Sequence, residues 1–205
     1  NVELNNVTKQ LEEVIVSSAA TKRDIQTPSL GVTVLSLKGI KKLPTMMGEV
    51  DVIRSLQSLP GVSSVGEGAN GLNIRGSNVD QNLIYIDDTP IFNPTHMFGL
   101  FSVFASDAIR DLELYKGGVP TRFGGRTASV LDIKMIEPNT EKFKMQGGIG
   151  LVSNRVMAEI PIIKDKLSVL VAGRLSVNDF MFKWFAPDYL KNIRANFSDV
   201  ATKVF

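Results

Sequence analysis

The stretch Gly150-Leu151-Val152-Ser153-Asn154-Arg155-Val156-Met157-Ala158-Glu159-Ile160-Pro161-Ile162 sets Gly150, Val152, Val156, Ala158, Ile160 and Ile162 on even positions, with Ser153, Arg155 and Glu159 on odd ones. Lys164-Asp165-Lys166 is a polar turn, and the next stretch alternates again. There Leu167, Val169, Val171, Leu175 and Val177 stand against Ser168, Ala172, Arg174, Ser176 and Asn178. Successive side chains of a strand point to opposite faces, so each stretch has one apolar face and one polar, charge-bearing face. Two strands of about a dozen residues with that pattern, joined by a tight turn, match a transmembrane β-hairpin. Strands of soluble sandwiches alternate too, but they are shorter, about five or six residues. Phe180-Met181-Phe182-Lys183-Trp184-Phe185 reads as an interfacial aromatic girdle or as a loop packing its own side chains. Residues 197–205 read as the start of a third strand.

Upstream of a hinge-like Glu137-Pro138-Asn139 the texture is mixed. Gly31 to Leu37 alternates as a strand. Val50, Ile53, Leu56 and Leu59 recur every third residue, which predicts a helix, with Glu49 and Asp51 in its first turn and Pro60-Gly61 ending it. Leu72 and Ile74, then Leu83, Tyr85 and Asp87, predict two strands around the polar turn Gly76 to Asp80. Asp87-Asp88-Thr89-Pro90 ends the second strand in a turn. Ser106 to Leu112 predicts a short helix capped by Ser106, followed by a strand Leu112 to Lys116 and another from Ser129 to Met135. Phe92, His96, Phe98 and Phe101 form an aromatic loop of the kind that is usually core or interface. At the other end, residues 1–12 are polar, and Glu12-Glu13-Val14-Ile15-Val16 opens a β-branched run that suits an edge strand. The fold class that follows is α+β: a small mixed domain with short helices, then antiparallel hairpin strands.

Composition removes several kinds of function. The 205 residues carry a net charge of only +2, dispersed along the chain, unlike the concentrated basic face of a nucleic-acid binder. There is no cysteine and a single histidine, His96, which excludes disulfides, thiol catalysis, Cys-type zinc sites and multi-His metal sites. No apolar run is long enough for a transmembrane helix. The glycines from Gly61 to Gly76 lack the Gly-Lys-Ser/Thr ending of a phosphate loop, and the predicted helix precedes them. Asp87 and Asp88 have no third ligand nearby in sequence, which favours the turn over a metal or a general-base pair. No nucleophile–base pair is visible, so the expectation is a non-catalytic protein without cofactor or metal.

The pieces Leu11-Glu12-Glu13-Val14-Ile15-Val16, Leu59-Pro60-Gly61-Val62, Leu72-Asn73-Ile74-Arg75-Gly76, Ile84-Tyr85-Ile86-Asp87-Asp88-Thr89-Pro90-Ile91, Tyr115-Lys116-Gly117-Gly118 and Arg122-Phe123-Gly124-Gly125-Arg126 occur in that order. In order and spacing they resemble the plug domain of TonB-dependent outer-membrane receptors of the Bacteroidetes type. The resemblance runs from about residue 11 to 136 and continues into what resembles the first barrel hairpin. It implies a four-stranded plug in the lumen of a 22-stranded barrel, a size closed by such a plug. It also implies that Glu12, Glu13, Val14, Ile15 and Val16 are the segment with which a TonB-like periplasmic protein pairs by adding a strand. Arg75, Arg122 and Arg126 become plug–barrel contacts, the guanidinium fork being suited to wall carboxylates.

The domain reading is a mobile tail over 1–24, a plug over 25–136 and a β-hairpin region over 137–205. Such a barrel, at roughly 10 residues per strand, needs well over 220 residues before turns. The residues after Ile136 make about three or four strands, and an open sheet cannot stand in lipid with both edges unpaired. The expected partners are therefore an outer-membrane β-barrel (the chain's own missing C-terminal part or a separate protein), a TonB-like periplasmic protein and outer-membrane lipid, with no nucleic acid. The expected function is occlusion and gating of a large outer-membrane pore, on the periplasmic side of the barrel lumen. The alternative is the N-terminal portion of a TonB-dependent transporter for a glycan, peptide or metal chelate.

Overall fold

The computed structural model describes residues 31–36, 39, 50–64, 71–96, 101–150, 153–177 and 196–205. The chain divides into two units, Asn1–Leu30 and Gly31–Phe205, and the described residues all belong to the second. The segment 12–16, Phe98 and the aromatic run 180–185 lie outside the described residues.

The first sheet has five strands in the order β1 (Val32–Ser36), β8 (Ile109–Tyr115), β9 (Ser129–Met135), β4 (Asn82–Ile86) and β5 (Thr89–Pro90). β4 and β9 run parallel and every other pair is antiparallel. Register aligns Leu112 with Ile133, Leu114 with Leu131 and Ile84 with Leu131, which builds one apolar face from three strands. On that face sits the helix α1 (Val52–Leu56), whose Val52, Ile53 and Leu56 are fully buried. At about 1.5–3 kcal/mol for each large apolar side chain removed from water, this cluster is the main source of the domain's stability. Phe104 and the strands β2 (Val62–Ser64) and β3 (Leu72–Ile74) close it.

Local chemistry sets the boundaries of these elements. Asp51 caps α1, its Oδ1 accepting from the Arg54 N–H at 2.9 Å. After Leu56 the backbone bonds become i to i−3, with Gln57 to Arg54 and Leu59 to Leu56. The three-residue apolar spacing of the sequence therefore continues in a tightened end of the helix rather than in a longer α-helix. Asp87 and Asp88 have φ of 42° and 65°, and Ile86 pairs with Thr89 across them. Positive φ at both central residues is the requirement of the two-residue type I′ hairpin loop, so the pair makes a turn.

Two expectations are adjusted. The expected four-stranded sheet carries a fifth, two-residue strand, β5, which the Asp87-Asp88 turn folds back onto β4. Ser106–Ala108 is a single 3-10 turn, and β8 begins at Ile109, where the sequence predicts a helix as far as Leu112. The register between β8 and β9 shifts between Ile109 and Asp111. This bulge puts Ile109 and Leu112 on the same buried side although they are three residues apart, a spacing that mimics a helix.

The second sheet is an antiparallel meander of β10 (Lys144–Ile149), β11 (Asn154–Ile163), β12 (Leu167–Val177) and β13 (Asn196–Val204). The turn at 164–166 lies where the sequence places it, with Asp165 in the left-handed region at φ 60°. Val156, Val171, Leu175, Val200 and Val204 are exposed on one face. The other face carries Arg155, Glu159, Arg174, Asp199 and Lys203 and is turned to the first sheet, with Met157, Leu170 and Ala172 packed against Ala108 and Met135. The hinge-like Glu137-Pro138-Asn139 is tied to this sheet. The Ser168 hydroxyl donates to the Pro138 carbonyl at 3.0 Å, and the Asn139 N–H donates to Glu159 Oε2 at 2.8 Å.

Candidate functional site

The polar face of the meander meets the first domain through charged contacts. β6 (Thr95–His96) and β7 (Phe101–Ser102) form a small hairpin. His96 Nε2 lies 2.5 Å from Asp199 Oδ1, and its ring stacks on Phe197 with centroids 4.8 Å apart. Phe101 lies against the same Phe197 ring at 5.4 Å. Arg174, 4% exposed, donates from Nε to Asp199 Oδ2 at 3.0 Å, and its Nη2 also donates to the Ser102 carbonyl. The guanidinium carbon sits 5.1 Å from the Phe197 ring centre, in cation–π range.

The Ser102 peptide then passes the contact inward. Its N–H donates to Asp51 Oδ2 at 2.7 Å, while the other oxygen of Asp51 caps α1. A carboxylate that accepts from two backbone N–H groups stays satisfied although it is only 8% exposed. Arg174 on the meander is therefore linked to the first helix of the core through one peptide and one carboxylate. Two ion pairs flank this line, Arg155 Nε to Asp107 Oδ2 at 2.7 Å and Lys203 Nζ to Asp87 Oδ2 at 3.0 Å. Lys203 also donates to the Met135 carbonyl at 3.2 Å.

The face of the first sheet opposite its apolar core is charged. Asp132, 1% exposed, lies 3.2 Å from Lys134 Nζ and 3.7 Å from Arg122. Burial pushes the Asp132 carboxyl above its usual range despite these cations. Lys134 also donates to Asp88 Oδ1 at 2.8 Å, and that hydrogen bond holds the exposed Asp88 carboxyl below its usual range. Burial works against the Lys134 ammonium, but its two carboxylate partners outweigh burial and hold its pKa above the ordinary lysine value. Burial, helped by a 2.5 Å hydrogen bond to Glu113, pushes the Tyr115 hydroxyl up to about 12. Among the described residues no three His, Asp or Glu side chains are grouped to hold a metal ion.

The residues singled out in the sequence separate into two groups. His96 and Phe101 come together at the junction, whereas Phe92 is 84% exposed. Arg75 sits in a tight turn at φ 53°, its N–H bonded to the Gly61 carbonyl at 2.9 Å. Its guanidinium lies against Gly117, where an added Cβ would come within 3.1 Å of Nη1. Arg122 lies 4.6 Å over the Phe123 ring, and Arg126 is exposed. From sequence Asp51 and Asp107 read only as first-turn acids of helices, and neither Asp199 nor Lys203 stands out. The one local signal was available in β12 and β13, a row of charges on the polar face of an otherwise apolar strand pair.

The sequence model of the TonB-dependent receptor plug domain matches residues 24–130. The chain belongs to the TonB-dependent receptor plug domain family. That membership places it at the outer membrane. Solved structures agree in fold. The siderophore receptor PirA of Pseudomonas aeruginosa aligns with a TM-score of 0.55 at 16% identity, over 86% of this chain and 30% of the receptor. The ferric enterobactin receptor PfeA of the same species aligns at 0.53 and 19% identity, over 80% and 27%. The outer-membrane transporter YddB of Escherichia coli aligns at 0.51 and 17%, over 85% and 30%. The chain thus spans less than a third of the length of these receptors. Among curated protein sequences none matches it. In these terms the first sheet with its helix is the plug, and the junction joins the plug to strands β10–β13.

Proposed function

We propose that residues 25–136 form a non-catalytic plug that occludes and gates the lumen of a large outer-membrane β-barrel, and that residues 137–205 supply the first strands of its wall. One observation carries this reading: the meander turns its charged face to the plug and its apolar face away from every other described element. A water-soluble packing of the same strands would bury Val171, Leu175 and Val200 and leave Arg174 in solvent, the reverse of what is found. A barrel strand instead faces lipid with its apolar residues and the lumen with its polar ones.

The barrel is then the continuation of this chain, because the aligned receptors are between three and four times as long as the region they share with it. The whole protein is then an uptake transporter for a glycan, peptide or metal chelate. Residues 12–16 pair with a TonB-like periplasmic protein by strand addition. Arg75, Arg122 and Arg126 are left to meet carboxylates on wall strands beyond those described.

The test removes residues 31–136 while keeping the barrel, and measures uptake of large antibiotics together with pore conductance in planar bilayers. Occlusion predicts a wide, constantly open pore. Unchanged permeability, with barrel insertion verified by its resistance to heat in detergent, overturns the reading.

A further inference from the structure

The outward face of the meander is apolar along its length, but its exposed lysines are gathered at one end. The Asp165 N–H donates to the Thr140 carbonyl at 3.2 Å, which brings the 164–166 turn beside the residues that lead into β10. This places Lys142, Lys164 and Lys166, all exposed, at the same edge of the sheet, with Glu141 and Asp165 as the acidic residues among them, whereas Lys144 pairs with Glu159 and shares its plug-facing side. Directly next to them, on the apolar face, Phe143, Ile162 and Ile163 are 59%, 58% and 51% exposed. The opposite end of the sheet, at Gly150, Ser153, Asn154, Asn196 and Ser198, has no lysine among its described residues. The charges near that end, Arg155, Arg174 and Asp199, are engaged at the plug junction.

An apolar band that ends in lysines has a specific fit. A lysine stem lies along hydrocarbon while its ammonium reaches the headgroup level, and an aromatic ring marks the same boundary. Lysine clusters at that level attract anionic lipid headgroups, each lysine contributing a modest, salt-screened increment. We propose that the 164–166 turn, with Lys142 and Phe143, is a binding edge for an anionic phospholipid headgroup in one leaflet of the membrane. Phe143, Ile162 and Ile163 lie under the acyl chains, and the lysines hold the phosphate. This rests on the barrel reading above.

The experiment uses the chain purified with the barrel that completes its sheet, placed in bilayer discs of phosphatidylcholine with or without phosphatidylglycerol. Native mass spectrometry counts the lipid that stays bound. The wild type is expected to retain phosphatidylglycerol over phosphatidylcholine, and raised salt should erase the preference. In a combined Lys142→Gln, Lys164→Gln and Lys166→Gln variant the preference should fall by about fivefold per lysine removed. Equal retention of the two lipids by the wild type, or an unchanged preference in the variant, overturns the lipid edge and leaves the barrel reading standing. Failure to enter either bilayer overturns the barrel reading itself, and the lipid edge with it.

Discussion

In the plug sheet, Leu112, Leu114, Leu131 and Ile133 are turned inward onto α1, and charges such as Asp132 and Lys134 occupy the other face. In the meander, Val171, Leu175 and Val200 are turned outward, and Arg174, Asp199 and Lys203 point in at the plug. Both sheets use the same period of two, yet one has an apolar inside and the other an apolar outside. The difference lies in what each sheet meets. The plug must keep a dry core of its own, whereas in the barrel reading proposed above the meander matches a polar plug on one side and hydrocarbon on the other. Alternation alone therefore defines a strand but not which of its faces is the interior.

Four substitutions probe this contrast. The largest effect is expected at Arg174, where the inward face of the meander grips the plug. Arg174→Ala takes from the half-buried Asp199 its guanidinium partner, leaves it bonded to His96, and takes the donor from the Ser102 carbonyl. Removing one member of a buried pair costs about 3–5 kcal/mol. Denaturant unfolding of the plug inside the inserted protein should show that loss, with amide exchange at Ser102 and in α1 rising together. A loss below about 1 kcal/mol would mean that the plug is held elsewhere on the wall.

Val171→Arg tests the outward face. In a bilayer, an arginine near the middle of a lipid-facing strand costs about 2–4 kcal/mol, and the inserted fraction measured against denaturant should fall accordingly. The same change is expected to be nearly silent if that face meets water, so the contrast between bilayer and buffer separates the two sheets.

The smallest effect concerns the charged face of the plug. Lys134 holds the Asp88 carboxyl below its unfolded value, so this pair adds stability above the unfolded carboxylate pKa and loses it as pH falls through the lowered one. Asp132 has the opposite sign. Burial raises its folded pKa, so its favourable contribution exists at acid pH and disappears as pH rises through the raised value. Asp88→Asn should cost under about 1 kcal/mol at neutral pH, as befits an exposed pair, and nothing at strongly acid pH. Asparagine tolerates the left-handed backbone there, so the change reports on charge. Unfolding free energies of this variant and of Asp132→Asn between pH 2 and 7 should slope in opposite directions relative to the parent.

Much of the architecture can be read from local pattern. The hairpin around Lys164 to Lys166, the strand Ser129–Met135 and the turn at Asp87-Asp88 follow from alternation and turn chemistry. The start of β8 does not, because a bulge gives Ile109 and Leu112 a helical spacing. The junction is legible only in part. Ring chemistry draws attention to His96 and Phe101, but nothing near Phe92 in sequence distinguishes it, exposed, from Phe101, buried. The partner of His96 is 103 residues away, and no local rule connects two positions at that distance. Asp51 reads as a first-turn acid, and its second oxygen finds Ser102 only when the chain has folded.

The link between plug and meander is short and pinned at Pro138 and Asn139. If the plug leaves its seat in the gating proposed above, so brief a leash keeps it at a local concentration of about millimolar against the surface that it left. Re-docking is then governed by chain geometry and not by how many copies the membrane holds, and each passage can end with the original stopper back in place.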